Sequence, residues 1–310
     1  MTKQQTAQFW LWLLGIFLFC AVPTLTIAFD ASGEGIVSAF NLLQQQQENP
    51  TATLRKLAQA NVVYLGETHD RPADHQAQLE IIQALHRLRP KLAIGMEMFQ
   101  RPYQSVLDRY LANRLTEAEL QEQSQYAKRW GYDWEFYAPI LRFAQANKLP
   151  VIALNTPTEV IRKTSRTGLA SLTLAERRFI PPPSAIVLEP EAYRERLQKI
   201  YAESHHGQST SVNVERFFQA QVLWDETMAE RIAQTLQKQP ETLVVVLVGQ
   251  GHIVYGDGIP ARVARRMQAA RSRAQFTQIS LLLNADEPEI QRDRQSADYL
   301  WHYRALPEQP

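Results

Sequence analysis

Short apolar runs rich in branched residues recur along the chain: Val62-Val63-Tyr64-Leu65, Leu92 to Met96, Val151 to Leu154, Leu243 to Val248 and Ile279 to Leu283. Runs without polar alternation fit strands covered on both faces, as in a parallel sheet. Between them the apolar period lengthens to three and four, which predicts helices over His75 to Leu88, Tyr103 to Leu111, Glu117 to Tyr126, Phe136 to Ala146 and Val214 to Leu236. In the last, Val214, Phe217, Phe218, Met228, Ile232 and Leu236 lie near core spacing. Pro260 opens a further helix in its first turn, with Arg265 and Arg266 toward its end. Strand–helix alternation predicts an α/β fold, a mainly parallel sheet sandwiched by helices. Residues Gly168 to Pro183 and Ser204 to Ser211 break the rhythm and read as a helical insertion forming a cap, and Tyr299 to Arg304 reads as a final strand. Gln44 to Thr53 is polar and carries Pro50, the signature of a linker, with Asn41 to Gln47 ending a short helix. The chain thus divides into an N-terminal segment (1–28), a linker (29–53) and an α/β domain (54–310).

The N-terminal segment changes the picture of where the protein works. Lys3 precedes an uncharged apolar run from Phe9 to Cys20, and Thr26-Ile27-Ala28 supplies small residues where a signal peptidase reads. This pattern predicts export, with cleavage after Ala28 or, uncleaved, a membrane anchor that would place the protein at the cell envelope or in the periplasm. Cys20 is the sole cysteine, and Phe19 before it does not suit a lipoprotein signal. The folded part therefore has no disulfide, thiolate nucleophile, iron–sulfur cluster or covalent haem attachment. A composition of 45% hydrophobic and 21% charged residues is that of a globular protein. A formal net charge of +1 gives no field that would draw nucleic acid.

Open α/β sheets bind ligands beyond the carboxyl ends of their strands. Gly66-Glu67-Thr68-His69-Asp70 follows the first predicted strand, Glu97-Met98-Phe99 the second, Asn155-Thr156-Pro157 the third and Gly249-Gln250-Gly251-His252 the fourth. Imidazole and carboxylate groups exchange protons near neutral pH and ligate metals, so Glu67, His69, Glu97 and His252 are the candidate catalytic residues and the candidate ligands of a divalent ion. Glu67 and His69 are two apart and share one side of an extended segment. His75, at the start of the next helix, can support them as a hydrogen-bond partner or third imidazole. On the long helix, Gln221, Asp225 and Met228 share one face, and a buried Asp225 there needs a cationic partner.

Other chemistry is excluded or secondary. Val254 stands where a dinucleotide fingerprint needs its third glycine, and neither a Walker A motif, an H-E-x-x-H pair nor a G-x-S-x-G elbow occurs. His205-His206 reads as a solvated loop pair. The aromatic stretch Tyr126 to Tyr137, with Trp130, Tyr132, Trp134 and Phe136, either packs in the core around a Gly131 turn or walls a flat ligand such as a porphyrin.

In these segments the sequence resembles the ChaN-like family of haem-binding uptake proteins, in the superfamily that includes Tiki/TraB proteases and erythromycin esterases. The likeness runs through Val63-Tyr64-Leu65-Gly66-Glu67-Thr68-His69 with His75, and Gly95-Met96-Glu97-Met98-Phe99 with Arg101 and Gln104. It continues through Trp130-Gly131-Tyr132 to Ile140, Val151 to Asn155, and Gln221 with Trp224-Asp225-Met228-Ala229. It ends at Gly249-Gln250-Gly251-His252 with Gly258-Ile259-Pro260. The resemblance implies an α/β sandwich and non-covalent haem binding in haem or iron uptake, with His69, His75, Arg101, Asn155, Gln221, Asp225 and His252 near the cofactor. It implies a homodimer if the haem sits at an interface. It leaves the iron ligand open between tyrosine, histidine and a carboxylate-bound second metal. The alternative is a hydrolase, esterase or peptidase-like, using the Glu67/His69/Glu97/His252 pocket with or without a metal ion.

Overall fold

The computed structural model describes residues 27–28, 35–204, 211–270, 276–286 and 288–305. The predicted signal segment and the His205-His206 pair lie almost wholly or wholly outside them. In chain order the strands are β1 (Ile27–Ala28), β2 (Gly35–Asn41), β3 (Gln46–Glu48), β4 (Val62–Glu67), β5 (Leu92–Gln100), β6 (Val151–Asn155), β7 (Leu243–Gly249), β8 (Gln278–Leu283) and β9 (Tyr299–Ala305). Helix α1 (Pro50–Leu57) precedes β4, and α2 (Pro72–Leu88) joins β4 to β5. Helices α3 (Gln104–Leu111), α4 (Glu117–Ser124), α5 (Tyr126–Arg129) and α6 (Ala138–Ala146) lie between β5 and β6. Then come α7 (Thr158–Thr167), α8 (Glu191–Ser204) and α9 (Ser211–Lys238) before β7, α10 (Ile259–Ala269) before β8 and α11 (Pro288–Arg292) before β9.

The strands form one sheet in the order β1-β2-β9-β8-β4-β7-β5-β6, with β3 on β2. From β9 to β6 every pairing is parallel, and β2 pairs antiparallel with β9 at the opposite end. The five apolar runs and the C-terminal run are all strands, so the α/β expectation is met. Residues 35–48 depart from it. The stretch read as a short helix and linker is instead the β2–β3 hairpin, with Asn49 capping α1 through its side chain. Gln46 to Glu48 alternates no apolar residues because β3 lies outermost on β2, where water satisfies its face.

Uninterrupted apolar runs are explained by burial on both faces. In β4, Val63 and Leu65 join the core beneath α1, α2, α3 and α6, while Val62 and Tyr64 join the core beneath α9 and α10. The same parity governs β5: Ile94, Met96 and Met98 face the first layer and Ala93 the second. At the strand ends this alternation sends Glu67 toward α2 and α6, and Glu97 toward α9. The segment from 158 to 204 packs on the first half of α9 through Val160, Leu172, Ile180 and Leu223, and through Tyr193, Leu197, Phe218 and Val222. This helical cap is wider than expected: Gly168 to Pro183 carries only short 3-10 turns, the two α-helices α7 and α8 lie on either side of it, and Ser204 to Ser211 falls almost wholly outside the described residues.

Candidate functional site

Strand β7 lies between β4 and β5, and its last residue, Gly249, pairs with Glu67 at the end of β4, two residues past the last β5–β7 pair of Met96 with Leu247. That geometry makes the site. Glu67 comes from one face of the sheet and Glu97 from the other, and His69 reaches across the end of β7 between them. An ideal Cβ on Gly249 would stand 2.9 Å from both Cε1 and Nε2 of His69. Glycine is required there by the imidazole lying over the backbone, not by backbone conformation.

On the α2 and α6 side, Glu67 is 1% exposed and fully committed as an acceptor. Tyr137 donates its hydroxyl to Oε1 at 2.6 Å, Gln78 donates to Oε2 at 2.5 Å, and His69 Nδ1 lies 2.8 Å from Oε1. A carboxylate with these partners only accepts, so His69 carries its proton on Nδ1 and keeps Nε2 as the other ring nitrogen. Beneath, the His75 Nε2 donates to the His69 carbonyl at 3.0 Å, and its ring stacks on Phe136 at 4.6 Å. The loop between Glu67 and α2 is held by Asp74, which accepts from the Thr68 N–H at 2.8 Å and from Asn284 at 2.7 Å. Burial pushes the Asp74 carboxyl up to about 6 in spite of these bonds.

On the α9 side, His252 lies in the short turn after β7, and an ideal Cβ on Gly258 would run into its carbonyl. Its Nδ1 is 2.6 Å from Asp225 Oδ1 and its Nε2 is 3.4 Å from Glu97 Oε1. The Tyr193 hydroxyl, brought by the cap, donates to the other Asp225 oxygen at 2.6 Å, and Gln221 lies 3.0 Å from His252 Nδ1. Glu97 also accepts the Gly249 N–H at 2.9 Å. The pairing of β5 with β6 shifts register between Met96 and Gln100, an irregularity of the kind that re-aims a side chain at a strand end.

These contacts set the charges. Burial opposes a charge on His252, but the Glu97 and Asp225 carboxylates outweigh it and push its pKa up to about 10. Burial likewise opposes a charge on His69, yet the bond to Glu67 and the fields of Glu97 and Glu67 raise it above the ordinary histidine value. Burial would raise Glu97, but His252, His69 and the Gly249 N–H hold it below the usual carboxylate range. The result is a row of alternating acid and base, Glu67–His69–Glu97–His252–Asp225, across the end of the sheet.

His69 and Glu97 open onto a cavity of about 360 Å³. Its other walls are Trp130, Tyr132, Trp224, Ile161, Asn155 and Thr156, with Gln100, Thr158, Arg129 and Arg162 completing it. Trp130 and Tyr132 pack their rings 4.8 and 5.0 Å from the His69 ring. Gly131 between them takes φ 86°, the turn that splits the aromatic stretch. Tyr126, Trp134 and Tyr137 go to the core, and Trp130 and Tyr132 go to the cavity. The stretch is thus divided between core packing and the wall of the cavity.

The four expected site residues converge, and Asn155 joins them: its amide donates to the Glu97 carbonyl at 2.7 Å and its oxygen accepts from Trp224. Gln221 and Asp225 stand behind His252, and His75 lies under the floor. Arg101 does not reach the cavity. It is drawn beneath the cap by Glu230 at 2.7 Å and by the Thr227 and Phe179 carbonyls, because a guanidinium near a helix flank with a free carboxylate buries best there. Arg71, also basic and near the first motif, is tied to Asp286 and the Asn284 carbonyl. The expected divalent-ion ligands are paired acid to base instead, and among the described residues no three His, Cys, Asp or Glu side chains are arranged to hold an ion. Tyr137, Gln78, Tyr193, Arg129 and Arg162 were not foreseen. Only Tyr137 carried a signal, as part of the aromatic stretch.

Does this site suit a haem? Two indoles, a phenol and Ile161 give flat apolar walls, His69 presents a ring nitrogen without a hydrogen-bond partner among the described residues, and the buried Thr156 hydroxyl has none either. The donor set fits. Residues 53–263 match the family model described as haem-binding uptake, Tiki superfamily, ChaN. The chain is similar to a solved structure of ChaN of Campylobacter jejuni, described as showing cofacial haem binding. The TM-score is 0.67 at 19% identity, over 86% of this chain and 97% of that one, which shows a shared fold. A structure of an erythromycin esterase matches at TM-score 0.45 and 16% identity, over 79% of this chain and 76% of that one. Protein RETICULATA-RELATED 5, chloroplastic, of Arabidopsis thaliana is 27% identical over 271 residues, which cover 81% of this chain and 35% of that relative.

Proposed function

From the premise that this chain belongs to the ChaN family of haem-binding uptake proteins in the Tiki superfamily, we propose that it binds haem non-covalently in the cavity over His69 and serves in haem or iron handling. The observation that carries this reading is the His69 imidazole. Its Nδ1 is fixed by Glu67, its Nε2 is available, and aromatic walls border it on the cavity side. Haem bound here would supply an iron centre, and His69 or the neighbouring phenol of Tyr132 would hold it. The Glu67, Tyr137 and Gln78 network holds His69 in one tautomer, as such outer partners do for metal-bound imidazoles. Export through the apolar run from Phe9 to Cys20 belongs to the same proposal. Among the described residues, no helix is long and apolar enough to cross a membrane.

Absorption titration of the purified protein with hemin tests the reading. A saturable Soret shift is expected, abolished or moved by His69→Ala, and Tyr132→Phe separates the two candidate ligands. Absence of any saturable shift refutes it.

A specific arrangement favours a second reading, acid–base hydrolysis at the same place. Tyr193, Asp225 and His252 line up behind Glu97 as an oriented imidazolium, while His69, in its deprotonated fraction, is placed to take a proton from water on the cavity side. Screening esters and peptides with and without a chelator tests it, and activity that survives in a folded His69→Ala variant excludes His69 as the base.

A further inference from the structure

We infer that the cavity selects ligands carrying a carboxylate, which it receives at the amino end of α7 beside Arg162 and the Thr156 hydroxyl. This rests on the haem reading above and names the side-chain chemistry the pocket demands of its porphyrin.

Three observations converge on the same wall. Thr158, Ile161 and Arg162 are spaced i, i+3 and i+4, so one face of α7 lines the cavity, while Val160 on another face packs on Leu223 of α9. Arg162 stands exposed at the rim, and no carboxylate pairs with it among the described residues. Helix α7 has Pro157 as its N-cap, which offers no side-chain oxygen to its first turn. Glu159 is the acid of that first turn, and its carboxylate is taken up by Arg129 at 3.1 and 3.2 Å, which leaves Arg162 as the cation beside the helix end with no acid of its own among the described residues. Thr156, on the same wall, is 1% exposed, and its hydroxyl is buried with no hydrogen-bond partner. A buried hydroxyl left in that state is costly unless a ligand completes it. Arg129, from the facing aromatic stretch, adds a second guanidinium, already braced by Gln100 at 2.9 Å and by Glu159 at 3.1 Å.

The cavity's own acid does not cancel this field. Glu97 lies at the bottom, held by the Gly249 N–H and facing His252 and His69. The cavity thus has its carboxylate deep and neutralised, its flat apolar walls in the middle, and at the mouth Arg162 together with an Arg129 already paired to Glu159. A planar ring that enters with carboxylate arms trailing matches that order. Arg101, which the resemblance placed near the cofactor, is engaged elsewhere, as is Arg71, and Arg162 takes that part from the cap.

Hemin and hemin dimethyl ester share the ring and iron but differ in charge at the arms, so titrating the full chain with each isolates the effect. A charge-assisted hydrogen bond is worth roughly tenfold or more in affinity, so hemin should bind at least about tenfold more tightly than the diester. Arg162→Ala should weaken hemin by about tenfold and leave the diester unchanged, with Arg162→Lys recovering part of the loss. Thr156→Val, close in shape, should weaken hemin alone. Thermal melts of all three variants verify folding. Equal affinity for hemin and diester, or an Arg162→Ala loss shared by both, overturns the carboxylate assignment while the haem reading stands. Binding of neither ligand overturns the haem reading itself.

Discussion

Replacing Asp225 by asparagine isolates the electrostatics on the α9 side of the site. Asp225 is fully buried and accepts from His252 Nδ1 and from Tyr193, each at 2.6 Å. Asparagine keeps the shape and removes the charge. In either orientation its NH2 faces a donor, so one buried hydrogen bond is lost, and His252 retains only the Glu97 carboxylate at 3.4 Å. Breaking one partner out of a buried ion pair costs about 3–5 kcal/mol, and with Glu97 still present the loss at neutral pH should be near 3 kcal/mol. The pH dependence has a definite sign. His252 titrates near 10 in the folded protein and near 6.5 unfolded. The stabilisation is therefore complete below pH 6.5 and disappears as pH rises toward 10. At ~1.36 kcal/mol per unit, this amounts to roughly 5 kcal/mol across the window, an attraction shared with Glu97 and Asp225 and counted once. In D225N the neutral plateau should fall and the slope between pH 7 and 10 should flatten. Urea denaturation followed by tryptophan fluorescence at pH 6, 7.5 and 9 measures both quantities. An unchanged midpoint at pH 7.5, or equal slopes in the two proteins, would refute the pairing.

Two further substitutions test the frame of the site. Gly249→Ala places a methyl 2.9 Å from the His69 ring; because that ring is a partly exposed side chain, the stability cost should be only about 1 kcal/mol, whereas the His69–Glu67 bond and hemin binding should be lost, and a variant that binds hemin normally would contradict the placement of His69. Gln104 covers the outer edge of β6, donating to the Val151 carbonyl and accepting the Ala153 N–H, both at 2.8 Å. Gln104→Ala should cost about 2 kcal/mol for two bonds and expose a strand edge that promotes self-association; denaturation and light scattering on mild heating would show whether the edge matters.

The parallel sheet was legible because apolar runs such as Val244 to Val248 can only be buried on two faces, and burial is a local demand that each segment carries in its own composition. Strand β3 and the hairpin it forms with β2 escaped notice since an edge strand half-open to water needs no apolar run. Four of the site residues were legible for a related reason: strand ends are where an α/β sheet receives ligands, so a histidine or glutamate after a buried run is conspicuous.

What chain order could not supply was which groups meet. Inserting β7 between β4 and β5 decides that His69 crosses Gly249 and faces Glu97, and the α9 register decides that Asp225 clamps His252. Tyr193 and Arg162 come from segments whose local pattern is unremarkable, and Arg101, which the resemblance placed near the cofactor, was captured by Glu230 instead. Amphipathic period and strand burial are properties of neighbours along the backbone. Pairing of charges across tens or hundreds of residues is a property of the assembled layers, where low dielectric makes each buried acid choose the nearest base.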